Sequence, residues 1–274
     1  MPSTWASALL SSPLGLQVLD NLSRTDLTRI SDGELTWLQL ESRSEVSRYR
    51  GDYDEHIADL KSNAGNLKHL AEWLAQRMAS GWEDLDRSRQ VWVAPSSDPA
   101  SAERMVIDLS AYSLEVSKPR RTFWTCTLGS AVVTPWLEWL RSGEDQRPGP
   151  YFLWTVTVSA SARIWEIHSP ADWAALTEAY PSAGEGVRYS PRNDRSASLV
   201  RLDPDWSKVS EEWDGVHLSA GGWLTAEDVP YESGGVTTEL RGWDMEATAW
   251  FRWSFSSVVP FVDVRRNLTR AEAP

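Results

Sequence analysis

The sequence predicts an α+β protein in which a helical region over residues 1–90 precedes a mixed, mainly antiparallel β domain over residues 91–274. Apolar residues recur at three- and four-residue spacings before residue 80, which is typical of amphipathic helices. Short runs rich in β-branched and aromatic residues begin near residue 90, which is typical of strands. The 274 residues are enough to bury a sizeable core without a disulfide or a metal to stabilise it.

The composition argues against several kinds of partner and site. The chain holds 27 Lys and Arg against 39 Asp and Glu, so its net charge of -12 disfavours nucleic acid and anionic membranes. The single cysteine, Cys126, excludes a disulfide framework, and the four histidines show no metal-ligand spacing, so we expect no metal. No apolar run approaches twenty residues and the first residues lack a basic stretch, which predicts a cytoplasmic protein with no membrane segment.

The N-terminal region is expected to form two or three helices between Ser31 and Met78, where leucine and isoleucine follow helical spacing without an interrupting proline. Breaks are expected near Gly51 and near residues 63–66.

After residue 90, short strands are expected to alternate with short helices. Strands are predicted over residues 91–93, 105–109, 122–128, 152–159, 163–167, 216–218 and 245–255. Helices are predicted after Thr134, from Ser169 to about Tyr180, and from Pro204 to Trp213. The Gly-, Ser- and Pro-rich segments over residues 183–193 and 219–239 are expected to be loops.

Tryptophan is unusually abundant, with 17 residues against 5 Phe and 7 Tyr. An indole ring most often packs in a core, but it also stacks on sugars and bases or forms a protein interface. The excess therefore predicts a tryptophan-rich core, with a few rings available for binding.

A strand over residues 243–255 would have two contrasting faces. One face is wholly apolar, and the other carries Asp244, Glu246, Thr248, Trp250, Arg252 and Ser254. Glu246 would stand near the start of a rigid element, where a carboxylate can stabilise a developing positive charge. The alternative is an exposed edge-strand glutamate paired with Arg252 or another cation.

A second strand, over residues 122–128, is rich in hydroxyl groups. Alternation places Thr125 and Thr127 on the side of Phe123, and Trp124 and Cys126 on the opposite side. Two hydroxyls at this spacing can bind a ribose and orient a carboxylate. The alternative is the ordinary preference of threonine for strands.

Together the two segments resemble the ADP-ribosyltransferase-like fold family, the NAD-cleaving domains seen in bacterial toxins. F-W-T-C-T-L at residues 123–128 takes the place of the family's S-T-S-like strand, and W-D-M-E-A-T-A-W at residues 243–250 matches its glutamate strand. D-G-V-H-L at residues 214–218 looks like the strand before the glutamate. The resemblance covers about residues 100–256. It implies an intracellular bacterial toxin or defence effector that uses NAD as its substrate.

The resemblance also implies roles for individual residues. Glu246 would stabilise an oxocarbenium-like transition state when the nicotinamide–ribose bond breaks, and Asp244 would orient an acceptor, either a protein or a small molecule. Thr125 and Thr127 would hold the ribose and the glutamate. The sequence departs from the family at Cys126, which replaces a hydroxyl residue, and at the Asp244-x-Glu246 pair.

The remaining contacts to NAD are assigned from the same resemblance. Trp124 or Trp250 would stack on the nicotinamide ring, and an arginine would neutralise the pyrophosphate. Arg104 is the first choice for that arginine, and the alternatives are Arg120, Arg121 and Arg50.

Two rival interpretations remain open. The chain could be a non-catalytic binding module that presents tryptophans to a sugar or a protein, with the N-terminal helices as the partner contact. It could also be a transferase fold that has lost its activity. His217 falls in a predicted strand near the proposed site, and a surface or core role is the expectation for it.

Overall fold

The computed structural model describes residues 4–48, 53–78, 85–94, 97–98, 117–119, 122–127, 152–182, 187–189, 199–233, 236–243 and 245–261. The strand predicted over residues 105–109 and the helix predicted after Thr134 lie outside these ranges. Five of the proposed site residues and alternatives also lie outside them, namely Arg50, Arg104, Arg120, Arg121 and Asp244.

The described part of the N-terminal region is helical, as predicted. Its helices are α1 (Thr4–Leu9), α2 (Pro13–Leu22), α3 (Asp32–Arg48), α4 (Tyr53–Asn63) and α5 (Lys68–Met78). The 3-10 turn over Ala64–Leu67 separates α4 from α5, so the predicted break near residues 63–66 is confirmed, whereas the predicted break near Gly51 lies outside the described residues. Among the described helices, none combines the length and the apolar character needed to span a bilayer.

The β domain is built on a seven-stranded sheet. Its strands are β1 (Gln90–Ala94), β2 (Phe123–Thr127), β3 (Phe152–Val158), β4 (Ile164–Ile167), β7 (Gly215–Leu218), β10 (Ala247–Trp250) and β11 (Phe255–Pro260). Their order in the sheet is β11-β3-β1-β2-β10-β7-β4. Two separate pairs join β5 (Val187–Tyr189) to β6 (Leu199–Arg201), and β8 (Tyr231–Ser233) to β9 (Val236–Thr238). Strands β4 and β7 run parallel and the other pairs within the seven-stranded sheet are antiparallel, so the α+β class with a mixed, mainly antiparallel sheet is confirmed.

Three further helices lie in the described part of the β domain: α6 (Pro170–Ala179), α7 (Trp206–Glu212) and α8 (Ala220–Ala226). The Ser169–Pro170 signal is confirmed, because the Ser169 side chain caps α6 by accepting from the Asp172 N–H. The helix predicted from Pro204 to Trp213 corresponds to α7, which is capped by Asp205.

The prediction of one strand over residues 245–255 is wrong. Strand β10 ends at Trp250 and lies between β2 and β7, whereas β11 begins at Phe255 and pairs with β3 at an edge of the sheet. Phe251 packs into the core beside Trp206, whereas Trp253 and Phe255 pack against Phe123 in the cluster that contains Trp250, so the residues after β10 do not keep to one face. Tertiary packing here overrides a local alternation that would have allowed a longer strand.

The prediction that residues 219–239 form a loop is also wrong, because α8, β8 and β9 lie within this segment. Helix α8 is buried and is capped by Ser219, which accepts from the Gly222 N–H at 3.0 Å. A Cβ atom at Gly221 would lie 2.1 Å from the Trp5 ring, and one at Gly222 would lie 2.3 Å from the Ile167 carbonyl oxygen. These glycines are therefore explained by close approach to neighbouring elements and not by a flexible loop.

Gly222→Ala is expected to lower the free energy of unfolding by about 1–3 kcal/mol, because the added methyl group meets backbone that cannot move aside cheaply. The matched control is Gly65→Ala, since nothing lies within 4 Å of a Cβ atom there. Urea denaturation of both variants measures the difference. Equal midpoints for the two variants would contradict the close packing of α8.

One hydrophobic core joins the N-terminal helices to the sheet. Its buried members include Leu9, Leu16 and Leu74 from the helices together with Val216 and Leu218 from β7. Side-chain hydrogen bonds reinforce this contact, because the Ser12 hydroxyl donates to the Leu224 carbonyl oxygen at 2.7 Å. Among the described residues, the N-terminal helices and β7 therefore share one core.

A buried ionic cluster ties α3 to the segment that follows α8. One Arg43 nitrogen lies 2.8 Å from Glu227 Oε1, and the other lies 3.4 Å from Asp228 Oδ2. Glu227 and Asp228 are 1% and 2% exposed, and Arg43 is 8% exposed. Glu227 also accepts from the Gly242 N–H, so its charge is compensated from two directions.

Candidate active site

One face of the sheet carries polar side chains across five neighbouring strands. Thr125, Thr248, His217 and Glu166 are successive cross-strand partners on β2, β10, β7 and β4, and Gln90 pairs with Thr127. Cross-strand partners project to the same face, as do residues two apart along one strand, so Glu246 joins this face from just before β10. We call Gln90, Thr125, Thr127, Glu166, His217, Glu246 and Thr248 the polar row.

Glu246 is held in the polar row by its neighbouring strand. Both of its carboxylate oxygens lie 3.1 Å from the backbone nitrogen of Thr127, which donates to them. The flanking residues Met245 and Ala247 are buried, which confirms the predicted apolar back of this segment. Glu246 is only 7% exposed, and Arg252 lies 3.2 Å from Asp214, so an exposed glutamate paired with Arg252 is not observed.

Burial makes the Glu246 carboxyl group a weak acid. Loss of hydration raises its pKa, and the hydrogen bonds from the Thr127 backbone and side chain lower it by a smaller amount. The resulting pKa is about 7. The group therefore exchanges its proton near neutral pH. Such a carboxyl group can either give up a proton or, once ionised, stabilise a nearby cation strongly because little water screens it.

The two predicted hydroxyl residues occupy different environments. Thr125 is fully buried, and its hydroxyl donates to Gln90 Oε1 at 2.7 Å and accepts from the Trp250 indole at 2.9 Å. The Thr127 hydroxyl is half-buried and accepts from Gln90 Nε2 at 2.7 Å. The backbone N–H of Thr127 donates to Glu246, so Thr127 lies directly beside the carboxyl group. The hydroxyl of Thr125 instead forms its hydrogen bonds within the core.

Gln90 was not anticipated as a site residue. Strand β1 places Gln90 against the two threonines. Its side chain donates to one threonine and accepts from the other, so it sets the spacing of both hydroxyls. Only the strand order reveals this role, because Gln90 is distant in sequence from both threonines.

The structure does not bring both proposed stacking rings to the site. Trp124 lies on the opposite face of the sheet, where it packs edge-on against Trp243 with ring centroids 5.1 Å apart. Trp250 shares the face of Glu246 but is fully buried against Phe255. Trp124 is thus separated from Glu246 by the sheet, and Trp250 acts as core beneath the polar row.

The tryptophan excess is mostly core, as predicted. Seven of the described tryptophans are buried: Trp92, Trp154, Trp173, Trp206, Trp223, Trp243 and Trp250. Six are half-buried: Trp5, Trp73, Trp124, Trp165, Trp213 and Trp253. None of these thirteen tryptophans, whose side chains the structure describes, is exposed.

His217 lies at the centre of the polar row, on the other side of Glu246 from Thr127. Its Nδ1 atom is 3.0 Å from Thr248 Oγ1 and 3.8 Å from Glu246 Oε1, and its Nε2 atom is 3.8 Å from Glu166 Oε2. Burial and the nearby His168 lower its pKa to about 3, so the ring is neutral at neutral pH and these approaches are not ion pairs.

The sequence contained a signal for this position. In V-H-L of β7 the two flanking residues face the helical core, so His217 must face the polar row.

The described residues contain no cluster of three or more His, Cys, Asp or Glu side chains suited to hold a metal ion. Comparison with known proteins gave no match: no family model, no curated protein and no solved structure matches the chain. The geometry of the polar row is therefore the basis for its proposed chemistry.

Proposed function

We propose that this chain is an NAD-consuming enzyme with an ADP-ribosyltransferase-like fold, which transfers ADP-ribose to an acceptor or hydrolyses NAD. One observation carries the proposal: the Glu246 carboxylate lies at the head of a central strand and accepts the backbone N–H of Thr127 from the neighbouring hydroxyl-rich strand. This is the combination of glutamate and hydroxyl strands on which the resemblance depends.

The chemistry requires a stabilised positive charge. When the nicotinamide–ribose bond breaks, its electron pair leaves with nicotinamide, and the ribose takes on oxocarbenium character. An ionised Glu246 would oppose that charge at short range, and its burial would strengthen the effect. Thr127 would keep the carboxylate in place before the substrate arrives, which lowers the cost of reorganisation.

The rest of the substrate would be held by residues proposed from the resemblance. Arg104 would neutralise the pyrophosphate and Asp244 would orient the acceptor. The proposed setting is a cytoplasmic toxin or defence effector whose acceptor is a protein or a small molecule. Its N-terminal helices could provide a contact for a protein partner.

Release of nicotinamide from NAD by the purified full chain tests the proposal. The wild-type protein is expected to release nicotinamide, and Glu246→Gln is expected to do so at least about a hundredfold more slowly. Glu178→Gln, an exposed carboxylate on α6, is the matched control and should behave as wild type. Because the ionised carboxylate is the stabilising form, kcat/KM should rise with pH and level off above about 7.

Two results would overturn this function. The first is the absence of NAD binding by calorimetry together with the absence of nicotinamide release. The second is turnover that Glu246→Gln leaves unchanged, since the carboxylate would then have no part in the reaction.

A further inference from the structure

Three side chains of the polar row form a line across β10, β7 and β4. His217 stands between two carboxyl groups, with Glu246 Oε1 3.8 Å from its Nδ1 atom and Glu166 Oε2 3.8 Å from its Nε2 atom. The sheet register sets Glu166 beside His217, because the two are direct partners on parallel strands, and Glu246 lies on the diagonal, two residues before the His217 partner Thr248. The two carboxyl groups thus approach opposite ends of one imidazole ring.

The three side chains differ in their access to solvent. The side chains of His217 and Glu246 are 2% and 9% exposed, so neither meets water freely. The Glu166 side chain is 30% exposed, although its Oε2 atom faces inward. Of the three side chains, Glu166 is therefore the one with ready access to solvent.

Thr248 determines which ring nitrogen of His217 carries the proton. The Thr248 side chain is fully buried, and the hydrogen bond found for its hydroxyl among the described residues is the 3.0 Å contact with His217 Nδ1. A buried hydroxyl must donate its proton to remain satisfied, so Nδ1 is the acceptor. The ring proton consequently sits on Nε2 and points toward Glu166.

The ionisable groups facing His217 are Glu246 from the β10 side, Glu166 from β4 and His168 from the turn after β4. Burial and His168 keep the pKa of the imidazole low, while burial raises the pKa of Glu246 to about 7. At neutral pH the ring is neutral, and Glu246 exchanges its proton. A neutral imidazole can accept a proton at one nitrogen while it gives one up at the other.

We propose that His217 is a positioning residue for Glu246 and that it carries a proton from Glu246 to Glu166, which releases that proton to water. The inference rests on the proposed NAD cleavage, because that reaction delivers a proton to Glu246.

The proton balance of hydrolysis is complete along this path. Nicotinamide leaves with the electron pair of its bond to ribose, the water oxygen bonds to the ribose carbon, and a water proton passes to Glu246. Glu246 then gives its proton to Nδ1 as Nε2 gives its own to Glu166. Each 3.8 Å contact shortens by about 1 Å to reach hydrogen-bond distance, and the Thr248 hydroxyl changes from donor to acceptor.

Carbon-13 NMR of glutamate-labelled full chain tests the proton path without NAD. The carboxyl resonance of Glu246, identified by its loss in Glu246→Gln, is followed through its titration. His217→Gln and Glu166→Gln are each expected to slow exchange between the protonated and ionised forms by about a hundredfold, seen as broadening or doubling at the midpoint. The exposed control Glu178→Gln should match wild type.

An exchange rate unchanged in Glu166→Gln would overturn the path. This variant decides the matter even if His217→Gln fails to fold, because the Glu166 side chain is 30% exposed and its replacement by the isosteric amide is expected to leave the fold intact. If the variants slow the exchange but the wild-type protein releases no nicotinamide, the proton path is supported and the proposed function is overturned. If the protein releases nicotinamide but the variants do not slow the exchange, the function is supported and the proton path is overturned.

Discussion

Glu246→Gln is expected to raise the free energy of unfolding by about 3 kcal/mol at pH 8 and to leave it nearly unchanged at pH 4.5. Burial raises the pKa of Glu246 from 4.5 to about 7, and each unit corresponds to about 1.4 kcal/mol. Between these values the unfolded chain has released the proton while the folded protein still holds it, so wild-type stability falls as the pH rises. Glutamine is neutral throughout and removes this loss.

Urea denaturation of both proteins at several pH values measures the effect. His217 contributes the opposite slope, because its pKa is lowered to about 3 and protonation of the unfolded chain reduces stability as the pH falls below about 6.5. This second slope is common to wild type and Glu246→Gln and cancels in their difference. Curves that remain parallel from pH 4.5 to pH 8 would show that the Glu246 carboxyl group is not buried.

Arg43→Ala is expected to cost about 3–5 kcal/mol of stability. The substitution removes the guanidinium group that lies against Glu227 and Asp228, and both carboxylates are almost completely buried. Asp228 keeps Arg241, whose Nε lies 3.7 Å from Oδ1, and Glu227 keeps the Gly242 N–H. A buried carboxylate from which the Arg43 charge is removed must either remain charged in a poor solvent or take up a proton, and both alternatives disfavour the folded state.

Arg24→Ala is the matched control for this prediction. Arg24 also forms an ion pair in the N-terminal region, with Asp20, but its side chain is 70% exposed, so its loss should cost no more than about 1 kcal/mol. Adding Glu227→Gln to Arg43→Ala should recover part of the lost stability, because a neutral amide at this position no longer needs the positive charge of Arg43. Equal effects of the two arginine substitutions on unfolding would contradict the buried cluster.

Local periodicity predicted the features of the site that depend on neighbouring residues. Alternation with a period of two placed Glu246 opposite an apolar back and placed Thr125 and Thr127 on one side, and the sheet register agrees. The helical break near residues 63–66 was predictable for the same reason, because it is signalled by the residues at the break.

The rest depends on strand order and on distant packing, which local patterns do not contain. Gln90 reaches the two threonines, and His217 reaches Glu246, only because β1, β2, β10 and β7 are neighbours in the sheet. The alternation correctly separated Trp124 from Thr125 within β2, but it did not show which face of the sheet would carry the glutamate. Helix α8 was missed because its two glycines serve contacts with Trp5 and Ile167, both distant in sequence.

The contact between Ser12 and Leu224 also constrains how the chain folds during its synthesis. These residues are separated by 212 positions, so the apolar faces of α1 and α2 emerge from the ribosome long before α8 and β7 can cover them. At about 5–20 residues per second, that interval lasts roughly 10–40 s. The apolar surface of the nascent N-terminal helices therefore stays exposed to water or to a chaperone until α8 and β7, in the final quarter of the polypeptide, have been synthesised.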